Sequence, residues 1–121
     1  MRKSTLFSIE ERVDMFRDAV TDWNNVTVLP YEGLIVDCFR ERQASVIVRG
    51  MRHVTDFEYE IQQALMNKRL SEECETVFLV PSEQNSFLNS GTVKELAVFN
   101  GPLEQFVPKG VADQLRNKLR S

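Results

Sequence analysis

Apolar positions recur along the chain in two rhythms, one of helices and one of short unbroken runs. In "FSIEERVDMFRDAV", Val13, Phe16 and Val20 fall at helical spacing, and Ser8 with Glu11 three residues later makes a capping box, which predicts a helix from about Ile9 to Val20. "NNVTVLPY" is a turn pair followed by a β-branched run, a strand that Pro30 ends or holds at an edge. After Gly33, "LIVDCFRERQ" returns to helical spacing and "ASVIVRG" is a second strand ending at Gly50. Thr55 with Glu58 reads as a second capping box before the helix "FEYEIQQALMNKRL". "ETVFLVP" is a third strand, stopped by Pro81, and the polar loop "SEQNSFLNSG" leads to the helix "TVKELAVF". Pro108 is placed to open the last helix, "KGVADQLRNKLR".

Apolar runs that do not alternate, separated by amphipathic helices, point to parallel strands covered on both faces in a single α/β domain, a doubly wound sheet. In such sheets ligands bind beyond the carboxyl ends of the strands. That places "RGMR" and "SEQNSFLNSG", which both follow strands, where chemistry is expected.

Composition narrows this picture. With 121 residues, of which 42% are hydrophobic, the chain suits one globular unit. Its 15 basic and 18 acidic residues give a net charge of -3, so no global field favours nucleic acid or an anionic membrane, and any phosphate site must be local. Cys38 and Cys74, both in helix-like segments, form no ligand cluster, which fits a reduced cytoplasmic chain without a structural metal. Cys38, between Val36 and Phe39, reads as a core thiol. Neither a signal peptide nor a membrane span is expected from the apolar runs.

Arg49 leaves a strand and Arg52 precedes a helix start, so both guanidiniums are placed to meet an anion at the free N–H groups of that first turn. The alternative is that they pair with Asp56, Glu58 or Glu60, since acids favour helix starts anyway. Glu60 is the acid singled out for a functional role, against a solvated helix face. Ser90 reads either as a phosphate-holding hydroxyl or as an N-cap, and His53, the only histidine, as a surface residue beside a capping turn. No nucleophile is paired with a base at any recognisable spacing.

At "IVRGMRHVTDFEYEIQQALMNKRL" the sequence resembles the bacterial phosphopantetheine adenylyltransferases. The likeness continues through "LFSIEERVDMFRDAV", "GLIVDCFRERQASVIVRG", "ETVFLVPS" and "SFLNSGTVKEL", in the family's order and spacing, over almost the whole chain. The resemblance implies a Rossmann-like nucleotidyltransferase that transfers the adenylyl group of ATP, with Mg2+, to 4'-phosphopantetheine, giving dephospho-coenzyme A and pyrophosphate. By the same resemblance, Arg49 contacts the phosphopantetheine phosphate, and Leu34 and Ile35 line the pantetheine position. Lys3 falls at the family's lysine near the reacting phosphates, with a catalytic and substrate-binding role. Gly50, Arg52 and Glu60 belong to the ATP site, and Ser86, Phe87, Leu88, Asn89, Ser90 and Gly91 cover the nucleotide phosphates. The family forms hexamers. Such a site needs no protein nucleophile and works by positioning two anionic substrates and stabilising the charge on the transferring phosphate.

Two departures from the family pattern shape the expectations. Members begin with a glycine-rich segment carrying a TFDP...GH signature whose histidine stabilises the transferring phosphate, and the given sequence starts after it. The fold is accordingly expected to be truncated at the N-terminus, with central strands missing and this chain alone inactive. The alternative is a non-catalytic remnant that binds a nucleotide or phosphopantetheine, or pairs with a partner chain. Second, the family's ISSS or ISST is replaced by Leu88, Asn89, Ser90 and Gly91. Two hydroxyls are exchanged for an amide side chain and a bare backbone amide.

Overall fold

A computed structural model describes residues 5–82, 84 and 87–119. The order of elements is α1 (Ile9–Ala19), α2 (Ile35–Glu41), β1 (Ile47–Gly50), α3 (Val54–Leu70), β2 (Thr76–Leu79), α4 (Ser90–Val98) and α5 (Lys109–Leu119). They fall into two compact units, one made of residues 1–30 with 88–121 and the other of residues 31–87.

In the first unit α1 begins as its sequence predicts. The Ser8 hydroxyl accepts from the Glu11 N–H at 3.1 Å, and the Glu11 carboxylate accepts from the Ser8 N–H at 2.9 Å, so two orphan donors of the first turn are satisfied reciprocally. Val20 caps the helix instead of extending it. The core of this unit is Ala97, Leu103, Ala112 and Leu115, with Leu6, Phe7, Val93 and Leu96 packed against it. From α5, Lys118 reaches back to the Leu6 carbonyl at 3.1 Å and the Glu11 carboxylate at 2.8 Å, and its ammonium lies 5.2 Å from the centre of the Phe7 ring. The strand expected at "VTVLPY" does not form. That run has no ladder partner among the described residues, and the Val28 carbonyl instead accepts from the Arg17 guanidinium at 2.9 Å.

The second unit is one βαβ turn with α2 ahead of it. Gly33, at φ +126°, lets the chain swing past the Tyr31 ring into α2, a backbone state that a side chain would strain. Strands β1 and β2 run parallel in the register Ile47↔Thr76, Val48↔Val77, Arg49↔Phe78 and Gly50↔Leu79. The chain is therefore α/β with parallel pairing, as expected from its sequence. The expected cover on both faces is not found: Ile47, Thr76 and Phe78 are half-buried on one face, whereas Val48 and Leu79 on the other are 57% and 58% exposed. These are the only two paired strands among the described residues.

Val36, Phe39 and Cys74 form the small core of this unit, with Ile47 against it. Cys74 lies in the turn between α3 and β2, not in a helix, and it is the core thiol, while Cys38 is only half-buried. Burial pushes the Cys74 thiol pKa up, which favours the neutral form. No helix among the described residues is long and apolar enough to cross a membrane.

Candidate functional site

Strand alternation puts Ile47, Arg49 and Thr76 on one face of the β pair, and α3 supplies the opposite wall. Tyr59, Glu60, Gln63, Ala64 and Asn67 recur at helical spacing on one side of α3 and, with those three strand residues and Ile35 of α2, line a cleft of about 230 Å3. That volume is small beside the roughly 300–1,000 Å3 of pockets that enclose a drug-sized ligand, so the cleft suits one end of such a molecule.

Arg49 and Glu60 are the electrostatic centre of this cleft. The Arg49 Nε donates to Glu60 Oε2 at 2.9 Å and Nη2 donates to Oε1 at 2.7 Å, a bidentate pair spanning strand and helix. Glu60 is thus no solvated helix residue: its side chain is only 10% exposed, against 53% for Arg49. The Arg49 hydrogen bonds hold the Glu60 carboxyl below its usual range despite burial, and Glu60 in turn raises the pKa of the guanidinium. Beside the pair, the Thr76 hydroxyl is buried without a hydrogen-bond partner among the described residues.

Arg52 does not share this cleft with Arg49. It lines a hollow of about 270 Å3 with Met51, His53, Val54, Phe57 and Val80, just beyond the carboxyl ends of β1 and β2. The helix that opens there is capped two residues earlier than "TDFE" predicts. His53, not Thr55, is the N-cap, and its N–H donates to the Asp56 carboxylate at 3.2 Å, so the acid three positions in does the capping. Gly50, the last residue of β1, has no atom within 4 Å of where a Cβ would stand, so the local fold leaves its backbone open to close approach.

The remaining sequence-derived candidates are scattered. Leu34 is the N-cap of α2 and contributes no side chain to the cleft, whereas Ile35 does. Phe87 belongs to the second unit and Leu88, Asn89, Ser90 and Gly91 to the first. Ser90 and Gly91 are not loop residues but the start of α4, whose N-cap is Asn89: its side-chain oxygen accepts from the Thr92 N–H at 2.9 Å. A Cβ at Gly91 would stand 3.2 Å from that same oxygen, which gives the glycine a local reason. Lys3 and Ser86 lie outside the described residues. Sequence reasoning missed Tyr59, Gln63, Asn67 and Thr76. The three on α3 repeat every four residues beside Glu60, a signal present in "YEIQQALMN" once that acid is placed inside.

The chain matches the profile of the cytidylyltransferase-like family over residues 1–96. The chain belongs to that family. A protein of Clostridium perfringens named phosphopantetheine adenylyltransferase is 46% identical over all 121 residues, which cover 74% of its own length. Relatives of the same name from Dictyoglomus turgidum and Nitrosospira multiformis are 48% and 47% identical over 98% of this chain and 74% and 72% of their own. Within this cytidylyltransferase-like chain, the Arg52 hollow lies beyond the carboxyl ends of the strands, where an open α/β sheet binds its ligands, and the Arg49–Glu60 cleft runs along the sheet face beneath α3.

Proposed function

We propose that the chain catalyses adenylyl transfer from ATP to 4'-phosphopantetheine, giving dephospho-coenzyme A and pyrophosphate. The observation that carries this reading is the cleft in which Ile35 and Arg49, both assigned to the acceptor from sequence, stand together. Ile35, Ile47 and Ala64 offer apolar contact along a pantetheine arm, Gln63 and Asn67 offer amides to its amides, and Arg49 offers charge to its phosphate.

In the reaction a phosphate oxygen of the acceptor bonds to the α-phosphorus of ATP, and the α–β bridging bond breaks, with the electron pair leaving on pyrophosphate. The chain contributes position and charge: Arg49 at the acceptor, Arg52 and the open backbone of Gly50 at the nucleotide, and Lys3 near the reacting phosphates. By the family resemblance, the segment Ser86–Gly91 would cover the nucleotide phosphates. Mg2+ enters bound to ATP. Bound with the nucleotide, the ion would supply positive charge to its phosphates. The same reading extends to a homo-hexamer in the cytoplasm.

The test measures 4'-phosphopantetheine and ATP binding separately by calorimetry, then product by mass spectrometry when both are supplied with Mg2+. Arg52→Ala is expected to weaken ATP more than phosphopantetheine, and Arg49→Ala to do the reverse. Binding of neither ligand by the native chain would sink the proposal. A second reading, a non-catalytic protein that binds nucleotide or phosphopantetheine or pairs with a partner chain, is favoured by the bare face of β1 and β2. Binding of both ligands without product would select it.

A further inference from the structure

A guanidinium carries five N–H bonds in a rigid planar fork. Glu60 occupies one on Nε and one on Nη2 of Arg49, both on the same edge of the fork. Three donors, two on Nη1 and one on Nη2, are not taken by Glu60 and make up the opposite, end-on edge. That edge suits a second bidentate contact, to phosphate oxygens. Arg49 lines the cleft and its side chain is 53% exposed, so a ligand can reach it, while Glu60 is held at the bottom of the pair with both of its oxygens engaged.

Each Glu60 oxygen accepts one hydrogen bond from Arg49, so the carboxylate's charge is balanced by the guanidinium. Facing a polyphosphate unpaired, the carboxylate would repel it. Its anchoring on α3, a 17-residue helix, and the 11-residue separation from Arg49 make it a brace between strand and helix. Without that brace the long arginine side chain would sample several rotamers, and each binding event would have to order it again.

We infer that Glu60 is a positioning residue for the acceptor phosphate: it grips the Nε/Nη2 edge of Arg49 and so presents the Nη1/Nη2 edge to the phosphate of 4'-phosphopantetheine. This rests on the acceptor reading of the cleft.

Two measurements test it. In the ligand-free chain, 15N NMR should show the Arg49 Nε–H as a distinct, slowly exchanging resonance that Glu60→Gln broadens or shifts toward the exposed arginines. An Arg49 Nε–H in the native chain that exchanges like an exposed arginine would overturn the brace. Calorimetry then compares 4'-phosphopantetheine, pantetheine without its phosphate, and ATP. Glu60→Gln is expected to weaken 4'-phosphopantetheine roughly tenfold, the order of effect seen when a group that orients a ligand-binding side chain is removed. Pantetheine should stay within about twofold, too little to register as a lost contact. Arg49→Ala and the double variant should then bind 4'-phosphopantetheine alike.

Equal loss for pantetheine and its phosphate, or a loss confined to ATP, would overturn the inference. Where Glu60→Gln fails to fold, Arg49→Lys decides: lysine keeps the charge but lacks a second edge, so it should lose the phosphate preference, and retention would refute the two-edge geometry. Failure of the native chain to bind either pantetheine compound would refute the acceptor reading, and the phosphate role with it, even with the NMR signature intact.

Discussion

On one face of the β1–β2 pair, Ile47, Arg49 and Thr76 share a cleft with α3, and on the other Val48, Gly50, Val77 and Leu79 meet solvent. Residue types do not explain the difference, because β-branched side chains stand on both faces. Burial does: an apolar side chain contributes about 25 cal/mol for each Å2 removed from water, and the bare face removes little. Polar groups follow the opposite logic. On the covered face a carboxylate had to find a guanidinium and the Thr76 hydroxyl is left without a partner among the described residues, whereas Arg42 or Glu72 at the surface is solvated.

Four comparisons would break or sharpen this contrast. The largest effect is expected from Ile47→Ala, which should cost about 2 kcal/mol in denaturant unfolding because it opens the covered face, whereas its neighbour Val48→Ala should stay within about 0.5 kcal/mol. Equal costs would mean the two faces are not energetically distinct. Next, Glu60→Ala should cost about 1–2 kcal/mol at neutral pH, the lower end for charged hydrogen bonds because Arg49 is half in water. Since the folded-state pKa of Glu60 is depressed, its contribution is present above the ordinary carboxylate range and is lost as pH falls through the folded pKa. The stability difference between wild type and Glu60→Ala should therefore shrink on acidification, and a constant gap would contradict the pair.

A gain is expected at Thr76→Val, which replaces an unpartnered buried hydroxyl by a methyl and should raise stability by about 1 kcal/mol. A loss there would reveal a partner for the hydroxyl. The smallest effect belongs to the first unit, where Arg116 holds the Glu104 carboxyl down to about 2. Glu104→Gln should lower stability only slightly at neutral pH, because the pair is at the surface, and that small gap should close as pH falls from the ordinary carboxylate range toward that value. A gap that persisted unchanged into acid would sink this assignment.

Local features of the fold were legible in the sequence and distant ones were not. The Ser8–Glu11 box involves residues three apart and formed as read, and "VIVRG" and "TVFLV" were found as parallel strands. "VTVLPY" has equal β-propensity but no strand beside it among the described residues, and propensity cannot supply a neighbour. Thr55 lost the N-cap to His53 because Asp56 caps from within the helix, a competition between two acids that spacing does not settle. At the site, Arg49 and Ile35 were visible as residue types, yet the choice between ion pair and anion site required the crossover that brings Glu60 under Arg49. The answer is that Arg49 makes the ion pair with one edge of its fork and keeps the other available.

Lys118 ties α5 to the Leu6 carbonyl and the Glu11 carboxylate, so the first unit is closed by side chains from opposite ends of the sequence. The second unit, residues 31–87, is continuous in the chain. A ribosome working toward the C-terminus therefore finishes every residue of the cleft before it makes the lysine that secures α1, and α1 waits for α5 to receive its anchor.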